Sequence, residues 1–160
     1  MITPLEAARS LYGAVLLLRR DPAGLAWFDS SRRGVIQSFW AAALVLPAFI
    51  ILELAEGSFS KNAGPLRALA IEAAGFVIFW TAFPLVMATI ADSLDRGRFW
   101  PRFTTAYNWS GAVQMAVYFP AGLMAALFPG AGTGLVSLVI TAFLLAYQGY
   151  VAHKALEIPF

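Results

Sequence analysis

Apolar positions along this chain gather into four long blocks, Val35–Leu54, Leu66–Ala91, Phe103–Phe128 and Gly134–Leu156, of 20, 26, 26 and 23 residues. A helix rising about 1.5 Å per residue needs about 20 apolar residues to cross a hydrocarbon layer of about 30 Å. Each block meets that length, and the longer ones have residues to spare for tilting. Together they hold 95 of the 160 residues. The pattern predicts an all-α fold, an integral membrane four-helix bundle. Residues 31–160 form the membrane domain, with transmembrane helices at about 35–54, 66–91, 103–128 and 134–156, and residues 1–30 form a separate cytoplasmic segment.

Within that first segment the pattern changes. Thr3-Pro4-Leu5-Glu6 reads as a helix start, with Thr3 as N-cap, Pro4 at the first helical position and Glu6 closing a capping box. Leu5, Ala8, Leu11, Tyr12, Val15 and Leu16 then recur at helical spacing, with Glu6, Arg9, Ser10 and Gly13 on much of the other face. Asp21-Pro22-Ala23-Gly24 ends the helix. The stretch is too short and too charged to span. It is expected to lie along the membrane interface, with Arg19 and Arg20 near anionic headgroups, or else to pack on the ends of the spans. Asp29-Ser30-Ser31 offers N-caps for the first span.

Composition agrees with a lipid environment. The chain is 60% hydrophobic and 12% charged, against about 25% charged in a soluble domain. A net charge of +2, with the basic residues scattered around the apolar blocks, carries no nucleic-acid signal. With no cysteine, disulfides, thiolate catalysis and thiolate metal sites are excluded. Met1–Ser10 contains Glu6 and no apolar core, so no cleavable signal is expected. Arginine supplies 9 of the 11 basic residues in an alanine- and glycine-rich chain. That composition suits a GC-rich bacterial genome, and the bacterial inner (plasma) membrane is the expected location.

The basic residues also predict orientation. Placing the N-terminus inside puts 9 of the 11 in the cytoplasm, and the inverse puts 2 there. The positive-inside bias therefore favours N- and C-termini both cytoplasmic. Trp27, Phe28, Phe39, Trp40, Phe99, Trp100, Tyr107, Trp109 and Tyr150 fall near the predicted inner interface, where amphipathic rings sit at headgroup level.

Chemistry inside the spans is sparse. Pro47, Pro84 and Pro120 each delete one helical hydrogen bond, leaving the carbonyls of Ala43, Trp80 and Ala116 short of a donor. They are candidate helix kinks, or hinges along a substrate path. Glu53 and Glu72 sit near the predicted outer ends of their helices, close to Lys61 and Arg67, where carboxylates snorkel or pair. A buried carboxylate there would instead carry protons or bind a cation, and Glu53, Glu72, Asn108, Gln114 and Gln148 are candidates for intramembrane polar contacts, the last three between helices. His153, beside Lys154, has no second ligand at metal spacing. Asn108-Trp109-Ser110 matches a glycosylation sequon but lies within a span. Gly130-Ala131-Gly132-Thr133-Gly134 lacks the strand and lysine of a phosphate loop and reads as a tight turn. Gly122, Ala126 and Gly130 are spaced for close helix contact, and Gly111, Gly122 and Ala126 are expected to admit a partner helix. No catalytic, metal or cofactor-binding residues are expected.

The Arg9–Arg20 amphipathic stretch, the Asp21-Pro22 break and the compact apolar bundle after it resemble the Yip-type family of small multi-pass membrane proteins, especially its bacterial members. Ala106-Tyr107-Asn108-Trp109-Ser110 also looks like a stretch of small alphaproteobacterial membrane proteins. The resemblance covers most of the chain. It implies a non-enzymatic membrane organiser or adaptor and supplies no catalytic residues. From the residues themselves, the expected partners are the lipid bilayer and either a second copy (a homo-oligomer) or another membrane protein. A small transporter or channel, possible as an oligomer, is the alternative. A lipid-modifying enzyme is the weakest reading, because such chemistry needs paired acids, a histidine pair or a metal.

Overall fold

A computed structural model describes residues 2–57 and 64–158. Its regular elements are α1 (Pro4–Leu18), a 3-10 turn (Pro22–Trp27), α2 (Arg32–Ser38), α3 (Trp40–Glu56), α4 (Pro65–Ser93), a second 3-10 turn (Gly97–Phe99), α5 (Trp100–Leu127) and α6 (Ala131–Leu156). Four helical stretches are long and apolar enough to cross a membrane: Arg32–Glu56, Leu66–Ser93, Gly97–Leu127 and Ala131–Leu156. These are the four predicted blocks with their ends moved by a few residues.

Local chemistry accounts for the shifts. α5 begins at Trp100 because Pro101 occupies its first turn, where the missing N–H has no helical partner to lose. α6 begins at Ala131, inside the turn expected at 130–134. The Thr133 hydroxyl reaches back to the carbonyls of Phe128 and Gly130, both at 3.0 Å, and gathers those glycines into a helical turn. The first stretch is interrupted at Phe39. Just before it, Ser38 Oγ bonds to the Val35 carbonyl at 2.7 Å, the kind of side-chain back-bond that bends helices. By contrast α3, α4 and α5 run without a break through Pro47, Pro84 and Pro120.

The helix starts follow their caps. Thr3 and Glu6 form the reciprocal capping box: Glu6 N–H donates to Thr3 Oγ1 at 3.2 Å, and Thr3 N–H donates to Glu6 Oε2 at 2.7 Å. Asp21 caps the first 3-10 turn, and Ser31 Oγ accepts from Gly34 N–H at 3.1 Å to start α2. The Thr3 backbone and hydroxyl donors, with Arg33 at 3.5 Å, hold the Glu6 carboxyl below its ordinary 4.5. A depressed carboxylate stabilises the folded form above its unfolded pKa, and the contribution is lost as pH falls through the folded value. The amides of the first turn of α1 should therefore exchange faster as pH drops below about 4.5, after correction for the intrinsic rate. Glu6→Gln keeps the capping geometry and should remove that pH dependence in a hydrogen-exchange series.

α5 is the central helix, packing along α6, α3, α1 and α2. Phe103, Ala106, Trp109 and Val113 on α5 are buried, with Val45 of α3 and Tyr147 and Val151 of α6 around them. α1 docks on this core through Ser10, Gly13, Ala14 and Leu17. Ser10 and Gly13 point inward, and Leu5, Ala8 and Tyr12 of the apolar stripe are exposed. Small residues win the inner face because α1 meets the 3-10 turn backbone to backbone: a Cβ on Gly13 would sit 2.7 Å from the Gly24 carbonyl oxygen. α4 is the most loosely held helix. It meets α5 and the 97–99 turn, and its buried face carries Trp80, Pro84, Met87 and Ala91.

Candidate functional site

Two polar features stand out in this apolar bundle. The first is a seam of side chains along α5. Asn108, fully buried, donates through Nδ2 to Ser38 Oγ on α2 at 2.8 Å. Two residues further along α5, Ser110 Oγ meets the Tyr147 hydroxyl of α6 at 2.8 Å, and that hydroxyl donates to the Ala14 carbonyl of α1, also at 2.8 Å. Gln114 Nε2 donates to Gln148 Oε1 across the α5–α6 contact. At the α1 end of the bundle, Thr105 Oγ1 reaches the Asp29 carbonyl at 3.2 Å, and Arg102 clasps the Ala155 carbonyl at 2.7 and 2.9 Å. These contacts tie α5 to α2, to the segment before α2 and, three times over, to α6, which Tyr147 in turn ties to α1. In hydrocarbon such bonds contribute modestly, about 0.6 kcal/mol each, but they fix helix register. Trp80 Nε1, Thr104 Oγ1 and Asn108 Oδ1 are buried and have no partner among the described residues.

The second feature is the cleft between α3 and α4, a space of about 350 Å³ walled by Phe49, Ile50, Leu69 and Phe76, with Glu53 and Glu72 on opposite sides. Both glutamates are half-buried. Phe49 and Phe76 touch across it with ring centroids 5.0 Å apart. Lys61, expected beside these carboxylates, lies outside the described residues. Deeper in, a smaller space of about 180 Å³ between α4 and α5 is lined by Trp80, Tyr107, Gln114, Tyr118 and Gln148. The walls of both spaces are mostly carbon. No group of three or more His, Asp or Glu side chains comes together among the described residues.

Compared with known protein families, curated proteins and solved structures, the chain finds no match.

The structure thus brings Gln114 to Gln148, and Glu53 to the same cleft as Glu72. It takes Asn108 to a different partner, Ser38. Pro84 is buried and its carbonyl accepts from the Trp100 indole at 2.7 Å, whereas Pro47 and Pro120 are exposed. Two of the small residues expected to face a partner helix are filled from within the chain. Gly111 accommodates the Trp80 ring, 3.1 Å from where a Cβ would stand, and Gly122 accommodates Leu52 at 3.2 Å. Sequence reading missed Ser38 and Tyr147. Each looks like an ordinary span residue, and their partners Asn108, Ala14 and Ser110 are remote in sequence.

Proposed function

We propose that this is a four-span protein of the bacterial inner membrane, with both termini cytoplasmic. It acts by association with itself or with another membrane protein, as a non-enzymatic organiser or adaptor. One observation carries the association reading: the outward face of α4. Ile71, Ile78 and Leu85 recur every seven residues on the side of α4 opposite Trp80, and are 53%, 61% and 63% exposed. Ala74 and Thr81 lie between them, and Ala88 follows at the same spacing. Large apolar residues at heptad spacing with small residues between form the seam along which membrane helices pair. The polar seam of α5 faces inward, where its members bind one another, so it supports a static bundle better than a conducting path. The resemblance to the Yip-type family points the same way. Exposed Leu5, Ala8 and Tyr12 on α1 suit a membrane interface against which that helix lies.

The transport alternative rests on Glu53 and Glu72 sharing one cleft, since ionisable groups facing an interior path are what ion movement requires. Glu53→Gln with Glu72→Gln separates the two. The association account expects the double variant to keep its complexes and its phenotype. Loss of phenotype with complexes intact would favour transport. For topology, reporters fused after Gly64 and Gly132 should be active outside the cytoplasm, and reporters after Arg98 inside it. A periplasmically active fusion at Arg98 would overturn the proposed orientation.

A further inference from the structure

Among the described residues there are six cation–π contacts, and all lie at the end of the bundle that carries α1. Half of them share one ring. The guanidinium carbons of Arg98, Arg102 and Arg96 stand 4.5, 4.8 and 6.0 Å from the centre of Phe99. Arg102 is fixed there by the Ala155 carbonyl and by Glu157 Oε1 at 2.9 Å. Arg96 and Arg98 have no carboxylate within ion-pair distance among the described residues.

The turn that presents them is well held. Arg96 N–H donates to the Ala91 carbonyl at 2.7 Å, Phe99 N–H to the Arg96 carbonyl at 2.9 Å, and the Trp100 indole to the Pro84 carbonyl. Asp92 lies against the Gly97 backbone, so closely that any side chain at 97 would collide with its carboxylate. Asp95, the other acid of the turn, is exposed.

Three cations gathered on one ring repel one another. An exposed cation–π contact offsets this by only about 0.5–1 kcal/mol each. An anion between the guanidiniums relieves the repulsion, and planar guanidinium forks match phosphate oxygens with paired, charge-assisted hydrogen bonds. The position selects the anion. The turn joins the ends of two helices proposed to cross the bilayer, which places it at headgroup depth, with Phe99 and Trp100 suited to the boundary below.

We infer that Arg96, Arg98 and Arg102, grouped on Phe99, form a binding site for the phosphate of an anionic phospholipid. This rests on the membrane reading above. The test titrates the purified full chain in detergent micelles with phosphatidylglycerol or phosphatidylcholine, counting bound lipid by native mass spectrometry. Arg96→Gln with Arg98→Gln should weaken phosphatidylglycerol binding about 30-fold, taking about 1 kcal/mol for each basic residue at an anionic surface. Phosphatidylcholine binding should not change, and Arg67→Gln, on the far end of α4, should behave as wild type. Arg98→Gln alone, at an exposed position, should give an intermediate loss without disturbing helicity. Equal phosphatidylglycerol binding by wild type and the double variant would overturn the site. Displacement of the lipid by millimolar inorganic phosphate would overturn the lipid assignment in favour of free phosphate. Alkaline carbonate extraction of native membranes reports separately on the membrane reading. Release of the chain refutes that reading, while retention together with unchanged lipid binding refutes the site alone.

Discussion

Replacing Trp80 with alanine should loosen α4 from the bundle and lower stability by about 3 kcal/mol, the low end for truncating a buried tryptophan. Trp80 is 4% exposed, and its six-membered ring end rests on Gly111 of α5. Phe76 and Phe79 pack beside it at 6.1 and 6.4 Å between ring centroids. The low end applies because the adjoining clefts are open and, in the bilayer proposed above, lipid tails refill part of the space and the loss is one of packing and not of hydrophobic burial. Thermal unfolding in detergent should fall by about 6–12 °C at this chain length. Hydrogen exchange should rise in α4 and stay unchanged in α5 and α6. Gly111→Leu, which drives a side chain into the same ring, should reproduce the pattern. A loss under about 1 kcal/mol would show that α4 is held elsewhere, by the Met87 and Ala91 contacts alone.

A comparable loss is expected at the junction of α1 with the 22–27 turn. Gly13 and Gly24 face each other so closely that a Cβ on Gly24 would lie 2.4 Å from the Gly13 carbonyl oxygen. The obstacle is backbone, which cannot rotate aside as a side chain would. Gly13→Leu or Gly24→Leu should therefore cost about 3 kcal/mol, the upper part of the overpacking range, and undock α1. Undocking also takes the Ala14 carbonyl from the Tyr147 hydroxyl and leaves it Ser110 Oγ alone. Limited proteolysis near Arg19 and Arg20 should accelerate in these variants. Gly149→Leu is the control, because nothing lies within 4 Å of its position. If Gly13→Leu and Gly149→Leu melt alike, the close contact is not what secures α1.

How much of this was legible in the sequence follows from what each signal depends on. The four long helices were readable because length and apolarity are local properties. The start of α1 was readable too, since a capping box needs only Thr3 and Glu6 three residues apart. Its inward face was not legible, because hydrophobicity marks what avoids water, whereas close backbone approach selects size. Ser10, Gly13 and Ala14 are inside because they are small. Gly111 and Gly122 looked available to a partner and are occupied by Trp80 and Leu52. Tyr147 carries no polar signature in an apolar run, and its bond to Ala14 spans 133 positions of sequence. The cleft holding Glu53 and Glu72 depends on how far α4 stands from α3, a property of packing with no sequence pattern of its own.

Cysteine cross-linking tests the central claim most directly, because the chain has no cysteine of its own and each introduced thiol reports one position. Single cysteines along α4, probed in native membranes with a short bifunctional reagent, should give species larger than the monomer at Ile71, Ile78 and Leu85. The buried positions Met87 and Ala91 should give none. That periodicity would place a partner helix on the outward face of α4, whether it comes from a second copy or from another membrane protein. Monomer alone at every α4 position, in membranes where the protein is functional, would contradict the account.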